Sequence, residues 1–329
     1  LNPSSVTSWS NLDSSGRPAA VARCLPVLAL ALILLLLDAL ATLALSGRLG
    51  FGRSTGAVLL ALALLVHPQD AKADDAADQR AIAATQGVVL AYVMTGDAEV
   101  DATSAAGLQG VSDQLIYRTA IEPLPPMGVD VETDELVFFP FLYWPVTADQ
   151  AQPSDAAYAK LNRFLRTGGM ILFDTRDGDL SGFGGGATPE AQALQTIAAG
   201  LDIPPLEPVP QDHVLTRAFY LLQIFPGRHT SPDLWVEAAP PDAEQADGMP
   251  FRNLNDGVTP VIIGGNDWAG AWAVNGGGAP LLPVGRGFAG DRQREMAYRF
   301  GVNLVMHVLT GNYKSDQVHV PALLERLGQ

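Results

Sequence analysis

Residues 154–174 constrain the fold more than any other part of the chain. They open on Ser154, whose hydroxyl suits a helix N-cap, and Asp155 puts a negative charge in the first turn, where the helix dipole favours it. Tyr158, Leu161, Phe164 and Leu165 recur at helical spacing and form one apolar stripe. Gly168 and Gly169 supply the stop. Residues 170–173 are a continuous apolar run, the pattern of a strand buried on both faces, and Asp174 stands at its carboxyl end. A helix joined by so short a turn to a buried strand is half of a β–α–β crossover, so a parallel sheet is expected.

Neighbouring segments extend the theme. Residues 88–93 form a second buried-strand run that ends in Thr95-Gly96-Asp97, and residues 104–119 read as a helix through Leu108, Val111, Leu115 and Ile116. Residues 136–146 (LVFFPFLYWPV) are β-like, but Pro140 and Pro145 interrupt them, so a strand of about four residues followed by an apolar loop is expected. Thr188-Pro189-Glu190 caps a helix running to about residue 199. Residues 213–224 read as helix or extended core, and residues 225–257 as loop-rich and acidic. Residues 260–264 are another buried strand, leading into Asn266-Asp267-Trp268. Residues 292–309 are a long amphipathic helix with Met296, Phe300, Leu304 and Val308 at every fourth position. This succession fits a doubly wound α/β sheet, with flavodoxin-like strand order expected.

The N-terminal part has another character. Residues 25–45 are apolar except for Asp38 and Thr42, close to the roughly 20 residues that span a bilayer. Residues 56–66 are apolar throughout; Arg48 and Arg53 precede them and Ala71-Lys72-Ala73 follows, which is the pattern of an export signal. One or two transmembrane helices, about 25–45 and 56–73, are therefore expected after a tail or linker at 1–24. A polar, Ala-rich linker at 74–85 would lead to a domain at 86–320 and a tail at 321–329. Arg48 and Arg53 should stay cytoplasmic, although Arg17 and Arg23 also flank the first run. The expectation is a bacterial inner-membrane protein with residues 74–329 in the periplasm, its partners the lipid bilayer and other envelope proteins. Asp38 either meets a partner helix or is outvoted by the leucines around it. A start at Leu1 rather than Met is what the tail of a longer protein would show.

Charge and cysteine usage remove whole classes of function. Beyond residue 73 there are 32 acidic and 15 basic residues, a net of −17. That balance disfavours a nucleic-acid partner, whose phosphates need clustered Lys and Arg. Cys24 is the only cysteine, so the domain that follows has no disulfide, no cysteine zinc site and no thiol nucleophile.

Ligands of open parallel sheets bind beyond the strand carboxyl ends. Asp97, Asp174 and Asn266-Asp267 all stand there, which makes them ligand candidates. In the run from Asp174 through Arg176 and Asp177 to Asp179, alternating carboxylates could hold a divalent cation such as Ca²⁺, the one cofactor the sequence leaves open. Such runs also form plain turns, because Asp bonds its own backbone. Trp268 and Trp272 could line a pocket or pack a loop onto the core; Tyr220 and Arg228 could join such a pocket, Arg228 as a fork for a carboxylate. Ser181 lacks the hydrolase elbow, Gly184-Gly185-Gly186 lacks the rest of a phosphate loop, and His213, His229, His307 and His319 lack zinc spacing.

Several stretches together resemble a known family: Phe164-Leu165-Arg166-Thr167-Gly168-Gly169 leading to Leu172-Phe173-Asp174-Thr175-Arg176-Asp177; Arg217-Ala218-Phe219-Tyr220 with Phe225-Pro226-Gly227-Arg228; Asn266-Asp267-Trp268-Ala269; and Arg299-Phe300-Gly301-Val302-Asn303-Leu304. They are similar to the C-terminal domain of unknown function of bacterial aerotolerance-regulator (BatA-type) membrane proteins. The resemblance implies a class I glutamine amidotransferase-like (ThuA-like) fold over about residues 86–320. It does not import catalysis, since the amidotransferase nucleophile is a cysteine and none follows Cys24. The expectation is a membrane-anchored, non-catalytic sensor or scaffold domain. The alternative is an envelope hydrolase using Asp174, Asp177 or Asp267, or a divalent cation held by them.

Overall fold

The computed structural model describes residues 75–179, 187–239 and 259–311. The expected membrane segments, about 25–45 and 56–73, lie outside the described residues, as do Cys24, Asp38, Ser181, the Gly184-Gly185-Gly186 run and the tail at 321–329. Among the described residues no helix is long and apolar enough to cross a membrane.

The described strands are β1 (Val89–Val93), β2 (Leu124–Val129), β3 (Phe141–Pro145), β4 (Met170–Asp174), β5 (Leu206–Pro208), β6 (Leu234–Glu237) and β7 (Val261–Gly264). They form one seven-stranded sheet in the order β2-β1-β3-β4-β7-β6-β5. The β2-β1-β3-β4-β7 portion is parallel, and β6 and β5 extend it antiparallel. The described helices are α1 (Asp75–Thr85), α2 (Ala98–Arg118), α3 (Asp155–Arg166), α4 (Pro189–Ala198), α5 (Trp268–Trp272) and α6 (Gly287–Thr310), with a 3₁₀ turn at Val214–Thr216.

Alternation along each strand sends successive side chains to opposite faces. Tyr143, Leu172 and Ile262 meet Leu108 and Leu115 of α2, Trp268 and Trp272 of α5, and Phe300 of α6. Trp144, Ile171 and Phe173 meet Leu161 and Phe164 of α3 and Ile197 of α4. Both faces are thus covered, which is why β3 and β4 are buried at every position. On the first face α2 lies against α5 at backbone distance: a Cβ on Gly110 would fall 2.0 Å from the Trp272 carbonyl oxygen.

The chain lays β2 on one side of β1 and then returns past β1 to place β3 on the other. Connections therefore reverse between β1 and β3, and the crevice beyond the carboxyl ends of these strands is where open sheets of this kind take ligands.

Several expected elements are corrected. The expected linker is helical over Asp75–Thr85, because Ala-rich polar sequence favours helix when nothing interrupts it. Helix α2 begins at Ala98, not 104, since Asp97 caps it by accepting from the Glu99 and Val100 amides. In residues 136–146 the strand is the second half, not the first. Val146 N donates to Asp174 O at 2.9 Å, so the Pro145 nitrogen points the other way, beyond the last β1–β3 pair at Tyr92–Tyr143, where no hydrogen bond is needed. Residues 213–224 are one 3₁₀ turn followed by irregular chain, and helix α6 starts at Gly287 rather than 292.

Candidate functional site

Asp174 ends β4 and is completely buried. Its Oδ2 accepts from the Tyr143 hydroxyl at 2.8 Å and the Trp268 amide at 2.7 Å, and its Oδ1 accepts from the Asp267 and Arg176 amides, both at 3.1 Å. One carboxylate thus ties β3 and the turn after β4 to the start of α5. Burial pushes its pKa up from 3.8 to about 7, and the nearby Asp267 carboxylate adds to the rise, while the hydrogen bonds pull the other way. The buried Tyr143 hydroxyl is in turn driven well above its ordinary range by burial and by Asp174.

Asp267 follows β7 in a left-handed conformation, φ 51° and ψ 60°. It caps α5, its Oδ1 accepting from Gly270 N at 3.2 Å, and its Oδ2 meets Arg228 Nη1 at 2.8 Å. Gly270 makes this approach possible, since a Cβ there would lie 2.6 Å from Asp267 Oδ2. Arg176, two residues past β4, is left-handed as well, with φ 57°. Its Nη2 donates to Val146 O at 3.1 Å, and its Nε is buried with no partner among the described residues.

Arg176 and Asp267 are the two non-glycine residues with positive φ among the described residues, and both line the same cavity of about 370 Å³. Asp97 and Glu99 from the start of α2 form another side, Arg228 contributes, and Tyr143 is at the floor. The volume is that of an ordinary small-molecule site. A left-handed side-chain-bearing residue costs of order 1–3 kcal/mol and persists where the surroundings enforce it, which happens most often at functional sites.

Residues 89–309 match the family model described as Domain of unknown function (DUF4159). The chain belongs to this family. The match runs from β1 into the last turn of α6, so every residue lining the cavity falls within the DUF4159 domain. No curated protein matches the chain.

Of the ligand candidates read from the sequence of the DUF4159 domain, Asp97, Arg176, Arg228 and Asp267 line this cavity. Asp174 lies behind it, reached through Tyr143. Asp177 is buried and turned inward, accepting from the hydroxyls of Thr175 and Thr188. Asn266 is a buried clamp: its Nδ2 donates to the Phe225 and Ser231 carbonyls and its Oδ1 accepts from Ser231 N. Trp268 and Trp272 are core residues whose indole N–H groups donate to Phe225 O and Ala297 O. Tyr220 lies elsewhere, with the Arg118 and Arg299 guanidiniums over its ring at 5.9 and 5.0 Å. Asp174, Asp177 and Asp179 do not converge: among the described residues no three His, Cys, Asp or Glu side chains are placed to hold a metal ion. A wider hollow of about 660 Å³, between residues 211–224 and α6, contains none of these candidates.

Sequence reasoning missed Tyr143 and Glu99. Tyr143 sits in the stretch that Pro140 and Pro145 disguise as loop. Glu99 was hidden by the late placement of the α2 start, although Asp97 followed by an acidic residue two positions on is a helix-start signal.

Proposed function

We propose that the DUF4159 domain of this chain is a non-catalytic sensor or scaffold module of a bacterial envelope complex, binding a small ligand in the cavity at the carboxyl ends of its parallel strands. The observation that carries the reading is the meeting of two left-handed side-chain-bearing residues, Arg176 and Asp267, in one cavity beside the strand-order reversal. The parallel order β2-β1-β3-β4-β7 agrees with a flavodoxin-like sheet and with kinship to the ThuA-like and class I amidotransferase folds. The apolar runs at 25–45 and 56–66 favour a tether in the inner membrane with the domain in the periplasm, among envelope proteins such as BatA-type relatives.

The absence of cysteine after Cys24 removes the amidotransferase nucleophile. A hydrolase reading draws support from Asp174, a carboxyl near pH 7. Both its oxygens are engaged by protein donors and it is closed off from solvent, so a positioning role suits it better than proton transfer to a substrate.

Thermal shift of the full chain against small polar compounds tests the proposal, with Thr103→Trp, a change in the cavity wall, as the blocked control. A compound that raises the Tm of the wild type and not of the variant is expected. Stabilisation by Ca²⁺ or Mg²⁺ that a chelator reverses would favour the hydrolase instead. A phosphatase fused after Gln329 should be active; an inactive fusion would overturn the periplasmic placement.

A further inference from the structure

We infer that the cavity holds a small monocarboxylate against the guanidinium of Arg176. The inference rests on the ligand-binding reading above and adds the chemistry of the ligand. The two arginines of the cavity differ in one respect. Arg228 is neutralised by Asp267 at 2.8 Å. Arg176 has no carboxylate within ion-pair distance among the described residues; its Nη2 meets only the neutral Val146 carbonyl, and its Nε is buried without an acceptor. A guanidinium that lines a cavity and has no counter-ion attracts an anion brought into it. The left-handed backbone of Arg176, held by its own amide on Asp174 Oδ1, fixes where the side chain leaves the strand.

The same cavity argues for one negative charge rather than two. Asp97 and Glu99 stand at the end of β1, and β3 separates β1 from β4, so these acids begin about 10 Å from the Arg176 backbone by strand spacing. Asp97 is tied to the Glu99 and Val100 amides, while the Glu99 carboxylate has no partner among the described residues. A phosphate dianion doubles both this repulsion and the attraction to Arg176, whereas the cost of taking its charge out of water rises more steeply than the charge, which favours a singly charged ligand. A planar carboxylate also matches the guanidinium fork.

Arginine modification reads the site directly. The full chain is treated with phenylglyoxal and each arginine is followed by peptide mass spectrometry, with lactate, inorganic phosphate or ribose present. Arg166, an exposed surface arginine, is the internal control. Lactate is expected to slow modification of Arg176 saturably, about fourfold at three times its Kd, and to leave Arg166 unchanged. Lactate should also raise the Tm of the wild type and not of Arg176→Gln. Protection by phosphate and not by lactate would overturn the carboxylate. Ribose stabilisation that Thr103→Trp abolishes, with no protection by either anion, would overturn the anion and leave the ligand-binding reading standing. No effect of any probe would overturn both.

Discussion

The Tyr143 hydroxyl donates to Asp174 Oδ2 at 2.8 Å, and both side chains are fully buried on adjacent parallel strands, Tyr143 in the middle of β3 and Asp174 at the end of β4. Tyr143 reaches the cavity floor while Asp174 does not, so the phenol is the physical link between the cavity and the carboxyl beneath it. Asp174 also receives the amides of Asp267 and Trp268, which fixes the turn where Asp267 adopts its left-handed conformation. A single carboxyl therefore sets the position of the cavity wall, and its titration belongs to the stability of the whole site.

Asp174 makes the domain less stable as pH rises. Its pKa is about 7 in the folded protein against 3.8 as the ordinary value. Between those limits the folded state keeps a proton that the unfolded chain has released, so the contribution is full below about pH 4 and is lost on approaching pH 7. A shift of roughly three units corresponds to at most about 4 kcal/mol. Urea denaturation of the wild type and Asp174→Asn between pH 4 and 7.5 should show the wild type's margin over the variant shrinking across the range. A constant margin would refute the assignment.

His307 acts in the opposite sense. It is buried on α6, 5.9 Å from the His213 ring, and burial followed by the proximity of His213 lowers its pKa from 6.5 to about 3. Thr259 N donates to its Nε2 at 3.4 Å, so the ring is held neutral with its proton on Nδ1. Between pH 3 and 6.5 the unfolded chain takes up a proton that the folded one refuses, so stability rises with pH through that window. The margin of the wild type over His307→Gln should grow from pH 4 to 6.5 and then level off. Because the Asp174 and His307 slopes oppose each other, each should mask part of the other in the wild type, and either substitution should expose the slope of the other.

Left-handed strain at Arg176 separates two truncations. Arg176→Ala and Arg176→Gly both remove the guanidinium and its bond to Val146 O, but only glycine adopts φ 57° without a Cβ penalty of roughly 1–2 kcal/mol. Glycine's extra freedom in the unfolded chain offsets about 0.5–1 kcal/mol of that gain. Arg176→Gly should therefore be the more stable of the two by up to about 1 kcal/mol in chemical denaturation. An alanine variant as stable as the glycine one would show that the strain is absent.

The parts of this architecture that were legible in the sequence are those fixed by local pattern. β1, β4 and β7 are short continuous apolar runs, and α3 and α4 begin at Ser154 and Thr188, where their capping side chains announce them. The sheet edges were not legible. β2 contains Pro125 and Pro126, which argue against a strand unless it lies at an edge, and β5 and β6 span three and four residues. The site was legible only as acids at strand ends. Nothing local separates Asp174, which turns inward, from Asp267, which lines the cavity. That difference is set by Tyr143, 31 residues before Asp174, and by α5, more than 90 residues after it. The left-handed conformations of Arg176 and Asp267 gave no sign either, because neither position is a glycine.

Asn303 offers the sharpest test of how irregular chain is held. It is fully buried on α6, its Oδ1 accepting from Tyr220 N at 2.7 Å and its Nδ2 donating to the Leu215 and Tyr220 carbonyls at 2.8 Å. These three bonds pin the chain that leaves the 3₁₀ turn. They allow Leu222 and Phe225 to be buried while Leu221 and Ile224 stay about 60% exposed beside them. Asn303→Leu keeps the number and branching of side-chain heavy atoms but leaves three backbone groups without partners, at about 1–3 kcal/mol for each that water cannot reach. The variant should lose about 3 kcal/mol of stability, and the Tyr220 amide should exchange at least about tenfold faster, since tenfold corresponds to only about 1.4 kcal/mol. Asn303→Asp keeps the acceptor for Tyr220 N and loses both donors, so protection at Tyr220 should survive better than in the leucine variant. A leucine variant within about 0.5 kcal/mol of the wild type would mean that packing alone holds the loop and that the three hydrogen bonds contribute no net stability.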